Sequence, residues 1–463
     1  MEGKLQKREV KSLEAREDEL GRNPRGTTMG AHIPTSGRKE SMESTTELME
    51  QLVTRPNLTE AYKRVTANKG SVGVDNISTE ELKGYLKERW PRIKEDLLNG
   101  NYYPQPVRRV EIPKPNGGVR KLGIPCVIDR FIQQALHQIL SPIFEATFSS
   151  NSYGFRPGKS TTQAVKKARS YIAEGRRWVV DIDLEKFFDK VNHDILMERI
   201  RRQVKDRRIL TLIRRYLQAG IMENGCVELN KEGTPQGGPL SPLLSNIMLT
   251  DLDKELERRG LAHCRYADDC NIYVKSEKAG RRVFESITNF LETRLKLKVN
   301  KDKSAIDRPW KRKFLGFSFT SRLQGQIRVH EKSIEKLKEK LKGLFRIARG
   351  SNIETFIKDK LNPVIRGWIN YFKHADVKSY AKELDAWIRR RMRTSLWRQW
   401  GKVGVKYRKL ISLKIEPKIA YMMANSSKGP WRMSGFAAMA EAIPWTYFEA
   451  RGMISMYRIV RDK

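Results

Sequence analysis

Two adjacent carboxylates, Asp268 and Asp269, stand in a segment whose flanks are rich in strand-forming residues. The runs on either side, within His263–Val274, favour two short strands joined at the aspartates. Adjacent carboxylates at such a turn repel one another unless a cation lies beside them, and their oxygens suit a hard divalent ion. Aspartate is also common in turns for conformational reasons alone, so the pair by itself leaves that alternative open.

A third carboxylate, Asp183, ends the apolar run Trp178–Asp183 and precedes a Phe-Phe pair. A buried strand end is a costly place for an uncompensated charge, so Asp183 requires a partner. If Asp183 and Asp268 lie on neighbouring strands, they can bridge two Mg²⁺ ions about 3.5–4 Å apart, an arrangement that catalyses phosphoryl transfer. Asp181 shares the face of Asp183, and we interpret it as a structural or solvated residue.

The surrounding pattern predicts an α+β fold that holds these aspartates in an antiparallel sheet. An alternation of apolar and basic residues over 107–123 predicts a hairpin with its turn at Asn116–Gly118. A helix is expected over Ile128–Leu140, and helical periodicity dominates after Val329. One face of the first of these later helices carries Ile334, Leu337, Leu341, Leu344 and Phe345.

The charge of the chain indicates a polyanionic partner. Its 463 residues contain 91 Lys and Arg against 54 Asp and Glu, a formal net charge of +37, which favours nucleic acid. From His330 onward, 30 basic residues stand against 12 acidic ones. No apolar run approaches the roughly 20 residues of a membrane-spanning helix, and no apolar signal segment is present. We therefore expect no membrane partner and a cytoplasmic location.

Two other features limit the possible classes of protein. The four cysteines form no CxxC pair, which argues against a structural zinc site or a disulfide framework. The stretch Gly21–Ser44 is rich in Gly, Ser, Thr, Arg and Pro, so we predict a flexible basic arm over residues 1–48.

Four motifs together resemble a known family, the reverse transcriptases encoded by bacterial group II introns. In chain order they are Asn151–Gly158 (NSYGFRPG), Asp183–Phe188, Gly233–Ser241 (GTPQGGPLS) and Tyr266–Asp269 (YADD). A fifth stretch, Asn362–Phe372 (NPVIRGWINYF), resembles the maturase segment that separates these enzymes from retroviral relatives. The resemblance covers roughly residues 50–460.

The resemblance implies a right-hand polymerase, with fingers and a palm built on an antiparallel sheet, followed by an α-helical thumb and maturase domain. Asp183, Asp268 and Asp269 are then the catalytic residues and the ligands of two Mg²⁺ ions. Asp183 and Asp268 are the expected bridging ligands, whereas Asp269 completes the turn and contacts a metal ion more weakly.

Five other positions match the family's nucleotide site. Lys114 and Arg120 would neutralise the triphosphate of the incoming nucleotide, and a solvated basic ribbon is the alternative. Phe188 would exclude a ribose 2′-OH and so select deoxynucleotides; otherwise it is a core aromatic. Gln236 would pack against the templating base pair and the sugar. Lys303 would protonate the departing pyrophosphate, or it is an ordinary surface lysine.

Further positions match the family's contacts with primer, template and intron RNA. Gly316 and Phe317 resemble the primer-gripping turn, where a glycine permits close backbone approach; an ordinary bulged strand is the alternative. Basic side chains interleaved with Trp387, Trp397 and Trp400 suit phosphate contact and base stacking on folded RNA, although about half of these tryptophans are expected in the core. The expected RNA-binding side chains are Arg366, Arg389, Arg390, Arg391 and Arg393.

The predicted domains are the arm at 1–48, fingers and palm at 49–325, thumb and the start of the maturase region at 329–400, and the rest of the RNA-binding maturase domain at 401–463. The implied protein copies RNA into DNA from a primer with deoxynucleoside triphosphates. It also binds its group II intron RNA, assists splicing, and carries the intron to a DNA target, with one or two copies per intron RNA.

Two alternatives remain open at this stage. One is a splicing cofactor without polymerase activity, whose mark would be a damaged acidic triad. The other is a reverse transcriptase domesticated for defence or attached to a CRISPR system, which we expect to lack the maturase segment. The longest family members carry an endonuclease with paired cysteines, and this chain has no cysteine after Cys270, so we expect a compact type without that domain.

Overall fold

The computed structural model describes residues 45–113, 119–223, 226–228, 232–234 and 237–462. The chain divides into two compact units, with the boundary between Arg308 and Pro309. The predicted arm therefore lies outside the described residues, except for its last four positions.

The first unit mixes helices with two four-stranded sheets. Its described helices are α1 (Leu48–Leu52), α2 (Arg55–Ala67), α3 (Leu82–Leu98), α4 (Val127–Glu145), α5 (Thr161–Ala173), α6 (His193–Arg201), α7 (Arg207–Gln218), α8 (Ser241–Arg258) and α9 (Glu277–Arg294). Its described strands are β1 (Val107–Pro113), β2 (Val119–Ile124), β3 (Trp178–Ile182), β4 (Ile221–Glu223), β5 (Cys226–Glu228), β6 (Ala262–Tyr266), β7 (Asp269–Val274) and β8 (Ala305–Asp307).

The sheet that carries the aspartates has the strand order β6-β7-β3-β8, and every pair in it is antiparallel. Its central strands are rich in β-branched residues, and Val180, Ile182 and Ile272 are at most 1% exposed. Helix α9 packs against this sheet, so that one face of each central strand is buried. The predicted antiparallel sheet and the hairpin over His263–Val274 are confirmed.

The second sheet has the order β2-β1-β4-β5. Strands β1 and β2 form the predicted hairpin, with Pro113 paired to Val119, and the turn that joins them lies outside the described residues. Strand β4 adds to β1 in parallel. Helix α4 extends the predicted 128–140 helix at both ends and is buried around most of its circumference, as expected of a helix in the centre of a core.

The second unit is predominantly helical. It contains the antiparallel hairpin of β9 (Phe317–Phe319) and β10 (Ile327–Val329). Its described helices are α10 (Glu331–Ile347), α11 (Ile353–Phe356), α12 (Asn362–Phe372), α13 (Lys378–Gln399), α14 (Val403–Ser412), α15 (Pro417–Ala424), α16 (Pro430–Met433), α17 (Ala437–Ala442), α18 (Trp445–Glu449) and α19 (Met456–Arg461).

Long-range polar contacts fasten the end of the second unit to its longest helix. Asp385 of α13 accepts hydrogen bonds from the Ser455 hydroxyl and from the backbone N–H groups of Met456 and Tyr457. Burial raises the pKa of this carboxyl above its ordinary value. In the part of the chain that the structure describes, no helix is both long enough and apolar enough to cross a membrane.

The two compact units meet at 308/309, and the predicted palm limit at 325 stays a prediction. Gly316 and Phe317, which the sequence assigns to the palm segment, belong to the second unit. The physical reason is packing: the Phe317 ring lies against Tyr371 and Phe372 of α12, with ring centroids 5.5 and 4.9 Å apart.

Candidate active site

A two-residue turn joins β6 to β7 and carries the central aspartate. Tyr266 pairs with Asp269 across the hairpin, which leaves Ala267 and Asp268 as the turn. Ala267 has a φ of +56°, a left-handed conformation that a non-glycine residue holds only when its surroundings impose it. The Asp268 and Asp269 side chains are partly exposed at this end of the sheet.

The third aspartate reaches the same end of the sheet through strand pairing. In the antiparallel β3–β7 pair Ile182 lies opposite Cys270, so the next residue along β3, Asp183, is level with Asp269. The backbone of Asp183 is held on both sides, since its N–H donates to the Ser304 hydroxyl at 3.0 Å and its carbonyl accepts from Asn300 N at 2.8 Å.

Lys303 is the one predicted nucleotide-site cation whose side chain the structure describes. Its Nζ lies 3.8 Å from Oδ2 of Asp183, with the lysine side chain 67% exposed and the aspartate side chain 42% exposed. The structure therefore places Lys303 beside the predicted metal ligand. Its exposure leaves room for the ammonium to turn toward a phosphate.

Phe188 and the GTPQGG segment are fastened to each other. The Phe188 carbonyl accepts a hydrogen bond from Thr234 N at 2.6 Å, and His193 Nε2 donates to the Gly233 carbonyl at 2.7 Å. Burial lowers the pKa of His193 below its ordinary value, and the hydrogen bond to the Gly233 carbonyl partly opposes that shift. Phe187 is 2% exposed and is the core aromatic of the pair.

Gly233 has a steric reason to be glycine. Its φ is +89°, and a Cβ at this position would meet the Phe188 carbonyl oxygen at 2.6 Å. The glycine therefore permits the close approach of the two segments.

Three predicted nucleotide contacts cannot be located. Lys114 and Gln236 lie outside the described residues, as does the side chain of Arg120. The backbone of Arg120 pairs with Ile112 in the β1–β2 hairpin. The roles of these three residues remain predictions.

In the second unit, Gly316 and Phe317 belong to another tight turn. Leu315 and Gly316 have φ values of +52° and +86°, and Phe314 pairs with Phe317 around them. The Tyr371 hydroxyl of α12 donates to the Leu315 carbonyl at 2.9 Å. The predicted primer-gripping turn is thus bonded to the predicted maturase segment.

The predicted RNA-binding arginines of α13 gather around aromatic rings. The guanidinium carbons of Arg390 and Arg391 lie 4.2 and 4.6 Å from the centroid of the Trp431 ring, and that of Arg389 lies 5.9 Å from the Trp445 ring. Burial, together with the charges of Arg389 and Arg390, lowers the pKa of Arg393.

Other side chains in this region take different positions. Trp397 and Trp400 are core residues, 2% and 8% exposed, as expected for part of the tryptophan set. Arg366 lies on the exposed face of α12, apart from the arginines of α13 in the sequence.

Two known protein families match this chain, each over a different stretch of the sequence. The family described as reverse transcriptase (RNA-dependent DNA polymerase) matches residues 112–319. The group II intron maturase-specific domain matches residues 334–412. The chain belongs to the group II intron family of reverse transcriptases. The predicted α+β polymerase fold with a helical maturase region and the predicted enzyme class, RNA-directed DNA polymerase, are confirmed.

Relatives of this reverse transcriptase occur in bacteria. Protein YkfC of Escherichia coli (strain K12) is 36% identical over 297 residues, which are 55% of this chain and 78% of that protein. The group II intron-encoded protein LtrA of Lactococcus lactis subsp. cremoris is 39% identical over 221 residues, 47% of this chain and 37% of LtrA. The match thus spans little more than a third of LtrA.

Among solved structures, a chain of the partial Cas6-RT-Cas1–Cas2 complex is similar. It is 25% identical, with 53% of this chain and 43% of that chain covered and a TM-score of 0.35. A TM-score this low carries no argument about function.

Reverse transcriptases use divalent metal ions, and the donor set of this chain suits one. Within the described ranges, no three His, Cys, Asp or Glu side chains are grouped so as to form a ready-made metal site. Mg²⁺ does not require one, because it is usually bound by one or two carboxylates with waters and substrate phosphates. Asp183 and the 268–269 pair supply partly exposed carboxylate oxygens at neighbouring positions of one sheet.

Sequence reasoning missed three residues that support this reverse transcriptase site: His193, Arg265 and Gly154. Arg265 precedes the YADD motif and donates a hydrogen bond to the Ala267 carbonyl. An arginine in an otherwise buried strand was a usable signal, because a buried charge requires partners. Gly154 lies within the NSYGFRPG motif, although the motif does not reveal its contact with Ala267, and no local signal identifies His193.

Proposed function

We propose that the first unit copies RNA into DNA by extending the 3′ end of a primer, with Asp183 and Asp268 as ligands of two Mg²⁺ ions. The observation that carries this proposal is the β3–β7 register, in which Asp183 lies level with the Asp268–Asp269 turn. Two Mg²⁺ ions at such a site activate the attacking 3′ oxygen and stabilise the leaving pyrophosphate.

The chain's own side chains would complete the chemistry. Lys303 would give a proton to the pyrophosphate oxygen as the bond to the α-phosphorus breaks, and its position 3.8 Å from Asp183 supports this role. Lys114 and Arg120 would neutralise the triphosphate. Phe188, held by Thr234, would exclude a 2′-OH.

The second unit would hold nucleic acid that the polymerase uses. Gly316 and Phe317 would contact the primer strand, and Gln236 of the first unit would contact the templating base pair. The arginines of α13, together with Arg366, would bind the folded RNA of a group II intron and support splicing and movement of the intron to a DNA target. Burial, together with the positive charges of Arg389 and Arg390, lowers the pKa of Arg393, and this crowding of positive charge supports an external polyanion as the partner of these arginines.

The partners of the whole protein follow from these roles. We propose intron RNA, an RNA template, a DNA primer or target and deoxynucleoside triphosphates, with one or two protein copies per intron RNA. The bacterial relatives support action in a bacterial cytoplasm.

Primer extension on an RNA template with Mg²⁺ tests the polymerase proposal. The Asp268→Ala/Asp269→Ala variant should lose synthesis, because the metal ligands are gone, while intron RNA binding persists. Asp194→Ala is the matched control, since its carboxylate is 81% exposed and pairs with Arg214 on the surface. Unchanged synthesis by the double variant would refute the catalytic assignment.

A splicing assay with the parent intron RNA tests the maturase proposal separately. The Asp268→Ala/Asp269→Ala variant should still assist splicing, since the polymerase chemistry is not needed for RNA folding. A protein that polymerises but binds no intron RNA would instead favour a reverse transcriptase with a different partner.

A further inference from the structure

The arginine that precedes the catalytic turn is entirely buried. Arg265 of β6 is 0% exposed, although charged side chains are almost never fully buried unless paired. Its Nε and Nη2 donate to the two carboxylate oxygens of Asp253 on α8, at 2.7 and 2.6 Å. This two-bond pairing leaves three further N–H groups on the guanidinium.

Those N–H groups hold three other positions. Nη1 of Arg265 donates to the Ala267 carbonyl at 2.8 Å and to Oδ1 of Asn246 at 2.9 Å. Nη2 also donates to the Ser152 hydroxyl at 2.8 Å. Because Ala267 immediately precedes Asp268, one guanidinium ties the catalytic turn both to helix α8 and to the NSYGFRPG loop.

The same loop also contacts the turn directly. A Cβ on Gly154 would lie 2.4 Å from the Ala267 backbone nitrogen, so the two backbones are in direct contact. The Gly154 carbonyl accepts from Nδ2 of Asn246 at 2.8 Å, and Asn246 also accepts from Arg265. The left-handed Ala267 is therefore held at its carbonyl by Arg265 and packed at its nitrogen against Gly154, as strained backbone requires.

Stability alone is a poor explanation for the buried pair of Arg265 and Asp253. Desolvation of the two charges offsets their attraction, and apolar replacements of similar size are often as stable. Accurate placement of a reacting group is a better explanation, because a misplacement of about 1 Å can cost about 100-fold in rate.

We propose that Arg265 is a positioning residue of the polymerase site. Through the Ala267 carbonyl it fixes the turn, and with it the direction of the Asp268 carboxylate toward its metal ion. This inference rests on the proposed role of Asp268 as a metal ligand.

Two variants of the full chain separate positioning from folding. Arg265→Met/Asp253→Met removes both buried charges together, so that neither is left unpaired. Arg265→Lys keeps a positive charge beside Asp253 but lacks the planar fork that reaches Ala267. The control, Arg199→Met/Asp251→Met, removes a 2.7 Å ion pair whose acid lies on the same helix α8.

Three measurements are made on each variant: the melting temperature, Mn²⁺ affinity of the protein alone by electron paramagnetic resonance, and kcat and KM in primer extension. The Arg265→Met/Asp253→Met variant should melt close to the control pair. Its kcat should fall on the order of 100-fold, its Mn²⁺ affinity should weaken several-fold, and its KM for primed template should stay unchanged. Arg265→Lys should change in the same direction, and the control should match the wild type.

A folded Arg265→Met/Asp253→Met variant with wild-type kcat and Mn²⁺ affinity would overturn the inference. If that variant does not fold, Arg265→Lys decides on the same two measurements. Failure of both variants to fold would also overturn it, because Arg265 would then serve only the fold.

Asp268→Asn separates this inference from the function on which it rests. If Asp268→Asn keeps the DNA synthesis and the Mn²⁺ affinity of the wild type, the proposed role of Asp268 as a metal ligand is refuted. If Asp268→Asn is inactive while Arg265→Met/Asp253→Met is fully active, the positioning role of Arg265 is refuted and the metal-ligand role of Asp268 stands.

Discussion

The two units each contain a tight hairpin turn with left-handed backbone, and the two turns are held by different chemistry. A buried, charged guanidinium, Arg265, holds the Ala267–Asp268 turn of the first unit. Neutral hydroxyls hold the Leu315–Gly316 turn of the second unit: Tyr371 bonds the first carbonyl, and Ser333 bonds the second at 2.9 Å.

The difference teaches how firmly each turn is fixed. A hydrogen bond from a charged donor, such as that from the Arg265 guanidinium to the Ala267 carbonyl, contributes about 1.5–3 kcal/mol. A neutral hydrogen bond contributes only about 0.5–1.5 kcal/mol. The turn that carries the proposed metal ligand is thus held by a stronger type of hydrogen bond than the turn proposed to meet the primer.

The buried arginine of the first unit and the arginines of α13 in the second unit also differ in how their charges are compensated. Arg265 finds its anion inside the protein, in Asp253. Arg391 and Arg393 lie among other arginines, and burial together with neighbouring positive charge lowers the pKa of both. The first arrangement stabilises a geometry, and the second favours binding of an external polyanion.

The largest expected effect is that of Arg265→Met alone. It leaves Asp253, which is 0% exposed, as an unpaired buried charge, so the free energy of unfolding should fall by about 3–5 kcal/mol. Urea unfolding measures this change. If the single variant is as stable as Arg265→Met/Asp253→Met, Asp253 is not left as a costly unpaired charge.

Gly154→Ala should have the next largest effect. Its Cβ would lie 2.4 Å from the Ala267 nitrogen, so the turn must shift, with an expected cost of about 1–3 kcal/mol. Primer extension should show a lower kcat. Gly84→Ala is the control, because a Cβ there meets nothing within 4 Å; equal activity of the two variants would argue against a rigid turn.

Arg390→Gln tests whether the arginines of α13, in the second unit, bind an external polyanion. If Arg390 contacts an RNA phosphate, the slope of log affinity against log salt concentration should become shallower by about one. Filter binding of the intron RNA over a salt series measures the slope. Arg258→Gln, at a 71% exposed arginine of the first unit, should leave it unchanged. An unaltered slope in Arg390→Gln would remove that residue from the RNA surface.

The smallest expected effect is that of Tyr371→Phe. Loss of the bond to the Leu315 carbonyl should cost about 0.5–1.5 kcal/mol, seen as a rise of a few-fold in KM for the primed template while Mn²⁺ affinity stays the same. Tyr421→Phe, at a 65% exposed tyrosine, controls for loss of a hydroxyl. A fall in kcat as large as that of Gly154→Ala would show that the two turns are equally rigid.

Much of the fold could be predicted because its determinants are local. The apolar run of β3 and the strand-forming residues of β6 and β7 predict these strands, and the spacing of Ile334, Leu337, Leu341 and Phe345 predicts the buried face of α10. The aspartates were recognisable for a related reason: carboxylates at the ends of apolar strands are costly unless they have a function.

Contacts between residues that are far apart in the sequence could not be predicted from local patterns. Arg265 bonds Ser152, 113 positions away, and Tyr371 bonds Leu315, 56 positions away. The place of Phe317 in the second unit also depended on long-range packing, since the Phe317 ring joins helix α12. Local periodicity carries no information about such contacts, because they form only when distant elements pack together.

The sequence by itself determined the family, through the motifs of a reverse transcriptase joined to a maturase segment, and it supplied three aspartates suited to a divalent metal ion and a net charge of +37 suited to nucleic acid. Only the tertiary structure decided how the central turn is held, by Arg265 at the Ala267 carbonyl and by Gly154 at the Ala267 nitrogen. The physical reason is that residue type determines charge and hydrogen-bonding capacity, whereas the partner that satisfies a buried group is chosen by packing.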